Sequence, residues 1–556
     1  MTEKIDDDAF RLLELDAWNR VVEGHARLDA GRALARTMRP AATLEEGRAL
    51  LAETKEALAL DDRGASPRLG VPADGLALVA HAREHGTPLL ARELAVQFRF
   101  LRQARDLRAT LAALDDLPAL RALGRRIPDV GPLVRDLELA VDERGLLLDS
   151  ATPRLRALRL EIAEKKEAVR QEIERIAKRP DVRTLLRSTH PTIRDGRFVL
   201  AVKIGSRGQV KGIYHDRSAS GETAYVEPEA VVDEQAELRD LVHDEEREVG
   251  RILWEFTRRL LDLEDELVAA TAALARFDAA CARGAAARDL GLVEPELVES
   301  GSPLAIDEVR HPLLLAMARD RLGEEAAVEA VHAAVTPFSL RLGDAFDLLV
   351  VTGPNTGGKT VTLKAVGLVA LLARCGSFVP AASGAVVPWF PGVFADVGDE
   401  QDLMQSLSTF SAHVRRIATV LSSAAPGALV LLDELGSGTD PLEGEALSTA
   451  LLEHLLDRRL RGVVTTHLGR LKEFAGRNPR AANASMQFDP ESLRPTYRLL
   501  LGIPGASNAL KIARGLGLPD GVLVRAEELL SESGDTDRSR GLLDELDRSR
   551  AAVERL

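Results

Sequence analysis

Aromatic residues are scarce in this 556-residue chain: Phe, Trp and Tyr together make up 4% of it, with only three tryptophans and three tyrosines. The apolar mass is Leu, Ala and Val, a composition that favours long helices. Cysteine is nearly absent. Cys281 and Cys375 stand far apart and outside any Cys-x-x-Cys spacing, which excludes a zinc site and a disulfide framework. Both fall in apolar helical stretches, where a thiol is a small buried hydrophobe. Long hydrophobic runs are missing too: the longest, around 366–372, falls well short of the roughly 20 residues of a membrane span. The N-terminus, MTEKIDDDAF, is acidic where a signal peptide would be basic and then apolar. These absences give the expectation of a cytoplasmic chain, with neither membrane nor zinc as a partner.

What is present is 45% hydrophobic and 29% charged, which excludes a disordered chain. The length is too great for one compact core, so three or four domains are expected. Acids outnumber bases by 87 to 73, for a net charge of −14. Taken as a whole, that balance disfavours nucleic acid. Its distribution does not.

Up to about residue 115, apolar and charged residues alternate at helical spacing, with Gly/Pro breaks such as 64–67. Thr152-Pro153 reads as an N-cap followed by proline at the first helical position. A charged helix follows, and Pro180 stops it. Residues 192–232 are different: 197–204, 212–214 and 223–226 are short β-rich runs punctuated by Gly and Ser. Beyond them Val249, Leu253, Phe256, Leu260, Leu263, Leu267, Ala270 and Leu274 recur at alternating spacings of four and three. That heptad seam predicts long packed helices acting as a lever, with the small sheet inserted between them. From about 300 the pattern is α/β. After about 530 a polar linker leads into a second heptad, 542–556, that stops without a C-cap; the expectation is a chain truncated within a coiled coil.

Gly353-Pro354-Asn355-Thr356-Gly357-Gly358-Lys359-Thr360 matches G-x-x-x-x-G-K-[ST] between an apolar strand, 346–351, and a helical run, 361–372. Glycines let backbone N–H groups close around phosphate oxygens, and the helix N-terminus adds positive potential. Lys359 is expected to reach the β- and γ-phosphates of ATP or ADP, and the Thr360 hydroxyl to ligate Mg²⁺. A second apolar strand, 428–432, ends in Asp433-Glu434: a carboxylate for the metal, then one placed to polarise an attacking water. A third, 462–466, ends in His467, a candidate γ-phosphate sensor. The acid directly after the metal aspartate points to the ABC-type branch of P-loop ATPases, in which a second subunit completes the site. The hydroxyl-rich segment 405–411 is a candidate for that trans element.

Together these motifs resemble the MutS ATPases, and the wording of 353–360, 408–413, 436–441, 216–221 and 226–228 is similar to the bacterial MutS-two subfamily. The resemblance covers essentially the whole chain. It implies a homodimer in which Asn355 helps position the attacking water, His311 lies near the adenine, Ser408 acts in trans and Asp440 faces the partner. It also implies an inserted clamp and the following organisation: 1–115 helical core, 116–180 first lever arm, 181–235 β-containing clamp, 236–298 second arm, 299–530 ABC-type ATPase domain, 531–556 linker and start of a coiled coil. The expected fold is thus multidomain, a mainly α-helical core and lever with a small β-rich clamp, followed by an α/β P-loop ATPase domain. None of the 14 phenylalanines is followed two residues later by glutamate, so the family's mismatch-reading Phe-x-Glu wedge is missing and mismatch repair is disfavoured. The subfamily's C-terminal Smr nuclease lies past the coiled coil, so no nuclease activity is expected of this chain. The roles the subfamily implies are suppression of homologous recombination on branched DNA, and rescue of stalled or collided ribosomes; an architectural clamp without turnover is the alternative.

Between Arg154 and Arg217 there are 17 Lys/Arg against 8 Asp/Glu, a local excess of +9. Up to Lys178 glutamates interleave with the bases, as on a solvated helix. From Arg179 onward acids become rare. Arg179, Arg183, Arg187, Arg194, Arg197, Lys203, Arg207, Lys211 and Arg217 are therefore candidate contacts to a phosphate backbone, of DNA or rRNA. Few aromatics accompany them, which argues against base stacking as the main mode.

Overall fold

The computed structural model describes residues 7–67, 69–70, 75–353, 358–398, 409–489, 494–503, 510, 513–514 and 517–532. The chain divides into two compact units. One comprises residues 69–115 and 121–274, the other 1–68, 116–120 and 275–556.

In the first unit, Thr152 accepts a hydrogen bond from the backbone N–H of Leu155 and opens the helix Pro153–Lys178, with proline in its first turn. That helix packs along a second, Val232–Asp262. Between them in sequence lies an antiparallel sheet of β1 (Thr192–Arg194), β2 (Arg197–Lys203), β3 (Gly212–Arg217) and β4 (Thr223–Pro228), ordered β1-β2-β4-β3. Alternate residues Leu200, Val202, Ala224 and Val226 pack with Val169, Ile173 and Ile176 of the helix to form the core of this piece. The heptad seam does not run through one helix: it breaks at Leu263, where Val232–Asp262 ends and Glu264–Leu290 begins. Three acids, Glu264, Asp265 and Glu266, open the second helix, where negative charge suits its N-terminus. A heptad pattern fixes which residues share a face but not where the backbone bends.

The second unit holds two sheets. One joins β5 (Glu296–Val298), β6 (Leu304–Val309), β7 (Phe338–Leu342) and, further along the chain, β9 (Val386–Pro388) in the order β5-β9-β6-β7. The other contains β8 (Leu348–Thr352), β10 (Val393–Asp396), β11 (Leu429–Leu432), β12 (Arg461–Thr466), β13 (Ala481–Asp489) and β14 (Arg494–Leu501), ordered β10-β11-β12-β8-β13-β14. All neighbours are parallel except β14, which returns antiparallel to β13. Strands β8, β11 and β12 are buried along their whole length, as expected of a parallel sheet covered on both faces.

The helix Lys359–Arg374 follows the predicted phosphate loop and from Ala365 to Ala373 is apolar and buried on every side. A helix of that kind must be covered all round. The sheet covers part of it, and the N-terminal segment covers more: a Cβ on Gly367 would meet Leu13 at 2.6 Å and Leu431 at 2.7 Å. Leu13, Leu15, Trp18 and Val22 belong to the same buried cluster as Leu363, Val366 and Ala370. Among the described residues no helix is long and apolar enough to cross a membrane.

Candidate functional site

In a parallel sheet, groups at the C-terminal strand ends share one edge, which is where ligands bind in open α/β sheets. Here β12 lies between β8 and β11. Its register pairs Val464 with Leu432 on one side, and Thr465 with Val351 on the other. Thr465 therefore stands level with Asp433, which follows β11, and close to the end of β8, after which the predicted phosphate loop comes in the sequence. Thr465 donates to one oxygen of Asp433 and accepts a 2.8 Å hydrogen bond from the backbone N–H of Glu434. The other oxygen of Asp433 accepts from the Thr360 hydroxyl at 2.6 Å. Two strand ends and one helix start thus meet at a single carboxylate.

Lys359 is 2% exposed, and its ammonium donates to the Gly353 carbonyl at 2.8 Å. Burial lowers its pKa, while Glu434 and Asp433 act to raise it. A cation held out of water in this way gains from an arriving phosphate, because little hydration remains to be lost. Gly358, at the start of the helix, has φ 92°, and a Cβ there would stand 2.6 Å from the Tyr497 ring; both facts require glycine. Glu434 also adopts a left-handed backbone, φ 49°, an uncommon state for a residue with a side chain and one that concentrates at functional sites.

Pro354, Asn355, Thr356, Gly357 and Ser408 lie outside the described residues. His467 is exposed just past β12. Asp440 caps the helix Pro441–Asp457, its side chain accepting from the N–H groups of Leu442 and Glu443. His311 is buried at the N-cap of the helix Pro312–Leu322, and its Nδ1 has no hydrogen-bond partner among the described residues. Burial pushes its pKa down to about 4, with Glu14 raising it and Lys364 lowering it further. Cys375 is buried and Cys281 partly so; burial pushes both thiols up to about 12.

Two further groups belong to the site although no motif marks them. In sequence Thr465 is an ordinary strand residue; its role comes from β12 lying between β8 and β11, which no local signal announces. Asp396, at the end of β10, is 1% exposed, and its carboxylate is held by His413 at 2.7 Å and Arg416 at 2.8 Å. Its carbonyl accepts from the Asp433 N–H at 2.8 Å, so it fixes the backbone that carries the two acids. A cavity of about 370 Å³, walled by the helices Thr409–Ser423 and Pro441–Asp457, borders Asp433 and Glu434.

The nine basic residues of the other unit are not equivalent. Arg179 pairs with Asp181, Arg187 with Glu222, and Arg197 with the buried Glu227. Arg194 donates to the Tyr225 hydroxyl and Lys203 to the Thr184 carbonyl. Arg183, Arg207, Lys211 and Arg217 are exposed, and none forms an ion pair among the described residues.

Comparison with known proteins gives these sites a context. The family MutS domain V matches residues 349–533, the stretch that carries Lys359, Thr360, Asp433, Glu434 and Thr465, so the class is that of the MutS proteins. Over a longer span the chain is 41% identical to Endonuclease MutS2 of Thermomicrobium roseum, covering 94% of this chain and 65% of that protein. It is 38% identical to Endonuclease MutS2 of Symbiobacterium thermophilum, over 99% of this chain and 67% of the relative. For the protein of that name in Geobacillus thermodenitrificans the identity is 37%, over 98% and 67% respectively. The chain belongs to the MutS2 family, and it spans about two thirds of the length of these relatives.

Proposed function

We propose that this chain is an ATP-hydrolysing, homodimeric clamp protein that couples its nucleotide state to a nucleic-acid partner. The observation that carries the reading is the convergence of Thr360 and Thr465 on Asp433, with Glu434 next to it and the buried Lys359 beside Thr360. Lys359 receives the β- and γ-phosphates. Glu434, held at φ 49° by the bond between its own N–H and Thr465, takes a proton from the attacking water. Asn355 orients that water, His467 contacts the γ-phosphate, and His311 lies on the adenine side. A dimer partner supplies Ser408 in trans and faces Asp440. The donor set beside Lys359 is a hydroxyl and a carboxylate 2.6 Å apart, hard oxygen ligands that suit Mg²⁺. Thr360 and Asp433 would hold it; when bound, it neutralises charge on the phosphates. Phosphate release from ATP tests this assignment. Release that survives Lys359→Ala undiminished would place hydrolysis elsewhere.

The exposed bases of the 181–235 segment support a phosphate-backbone contact for the clamp, on branched DNA or on the rRNA of a stalled ribosome. Co-sedimentation of the Glu434→Gln form with stalled ribosomes, using junction DNA as competitor, separates the two. Retention that the junction cannot displace favours the ribosome, and full displacement favours DNA. Binding to neither would remove the clamp role. A clamp without turnover would instead bind ATP tightly and release no phosphate.

A further inference from the structure

Among the described residues β3 is an edge strand, paired only with β4. In a regular strand Tyr214 and Arg217, three residues apart, would point to opposite faces. The register shifts between Tyr214 and Asp216, so that Tyr214 pairs with Val226 and Arg217 with Ala224. Val226 and Ala224 are two residues apart and share a face. The bulge therefore brings Tyr214 and Arg217 to the same side of the sheet. Arg207, from the turn Ile204–Gln209, places its guanidinium 5.8 Å from the centre of the Tyr214 ring. Tyr214 is 44% exposed, although its partner Val226 is buried.

This edge differs from the rest of the basic segment. Arg179, Arg187 and Arg197 are neutralised by acids of the same unit. Arg207 and Arg217 have no ion pair among the described residues; Arg207 lies over the exposed Tyr214 ring, and Arg217 shares its side of the sheet. An exposed ring with one cation over it and another on the same side of the sheet fits a nucleotide whose base is free to stack and whose phosphates need neutralising. It does not fit a regular duplex, in which each base face is already covered by its neighbours.

We infer that the Arg207–Tyr214–Arg217 edge of β3 binds an unpaired nucleotide, of DNA or RNA. The base stacks on Tyr214, and Arg207 and Arg217 meet the flanking phosphates. This rests on the reading of residues 181–235 as a nucleic-acid clamp and adds a preference: the clamp selects structures that expose unpaired bases. It departs from the expectation that stacking is not the main mode, because one well-placed ring is sufficient.

The test uses the whole chain and three probes: labelled oligothymidylate, oligouridylate and a duplex of matched length. The parent is expected to bind single strands more tightly than duplex. Tyr214→Ala is expected to weaken single-strand binding by roughly 5- to 150-fold while leaving duplex binding unchanged, and Tyr214→Phe to keep the parent's preference. Emission from Tyr214→Trp is expected to quench when a strand binds. Binding of oligothymidylate alone, of oligouridylate alone or of both identifies the nucleic acid and supports the inference in each case. Equal losses on single strands and duplex, or no loss in Tyr214→Ala, would overturn it and leave the general clamp reading intact. A parent that binds none of the probes would end the clamp reading as well.

Discussion

The side chain with the most structural consequence for its size is the Thr465 hydroxyl. It holds one oxygen of Asp433 and receives the Glu434 N–H, so it fixes both acids at once. Thr465→Val keeps the shape and leaves two buried polar groups without their partner. Each such loss costs about 1–3 kcal/mol, so a lower midpoint in chemical denaturation is expected, together with slower hydrolysis. An unchanged midpoint and rate would mean that Thr465 is a bystander. His311 supplies a pH dependence. Its folded pKa of about 4 lies below its ordinary 6.5, so the fold favours the neutral ring, beside Glu14 and Lys364. Stability is then fully present above about pH 6.5 and lost as pH falls toward 4, to a limit on the order of 3 kcal/mol. A His311→Gln variant is expected to flatten that part of a stability–pH profile; the same acid slope in parent and variant would contradict the assignment.

Among elements, the sheet β1–β4 is held by a buried charge network. Glu227, 1% exposed, meets Arg197 at 3.1 Å, the His215 ring, and Gln235 of the helix Val232–Asp262 at 3.0 Å. Gln235 in turn bonds both the N–H and the carbonyl of Phe198, which ties β2 to the helix. Removing one member strands the others, a loss of about 3–5 kcal/mol for a buried charge. Glu227→Ala is therefore expected to speed hydrogen exchange in β2 and β4, and exchange at the parent rate would refute the network's role. Much at this scale is legible in the sequence, because the cues are local. Thr152-Pro153 marks a helix start and Pro180 its end, and the apolar runs before Gly353 and Asp433 become β8 and β11. The features that escape a sequence reading are non-local. The break at Leu263 lies inside an unbroken heptad, β1 is too short to announce itself, and the bulge in β3 is set by its pairing with β4. The pairing of Arg197 with Glu227 likewise depends on strand order, so a count of bases overstates what is free to bind.

For the whole molecule, the net charge of −14 says little, because the excess of bases is confined to one segment. If that segment grips a phosphate backbone, affinity must fall with salt in proportion to the number of phosphates neutralised. Replacing Arg183, Arg207, Lys211 and Arg217 together with Ala is expected to make the slope of log affinity against log salt on duplex DNA shallower by about 0.9 for each phosphate no longer neutralised; an unaltered slope would mean that other residues bind the backbone. That residues 7–67 belong to the same unit as Lys359, Asp433 and Glu434 is not legible in the sequence either. Helical periodicity shows that a face will be buried, not what buries it. The helix Lys359–Arg374, apolar on every side from Ala365 to Ala373, is the one hint that a second layer is needed.

The central claim is that ATP is hydrolysed at Asp433 and Glu434. The most direct measurement is phosphate release by Glu434→Gln, with ATP binding followed in the same sample. Loss of the general base is expected to slow release by about a hundredfold to ten-thousandfold while ATP binding persists. Turnover at the parent rate with binding intact would contradict it.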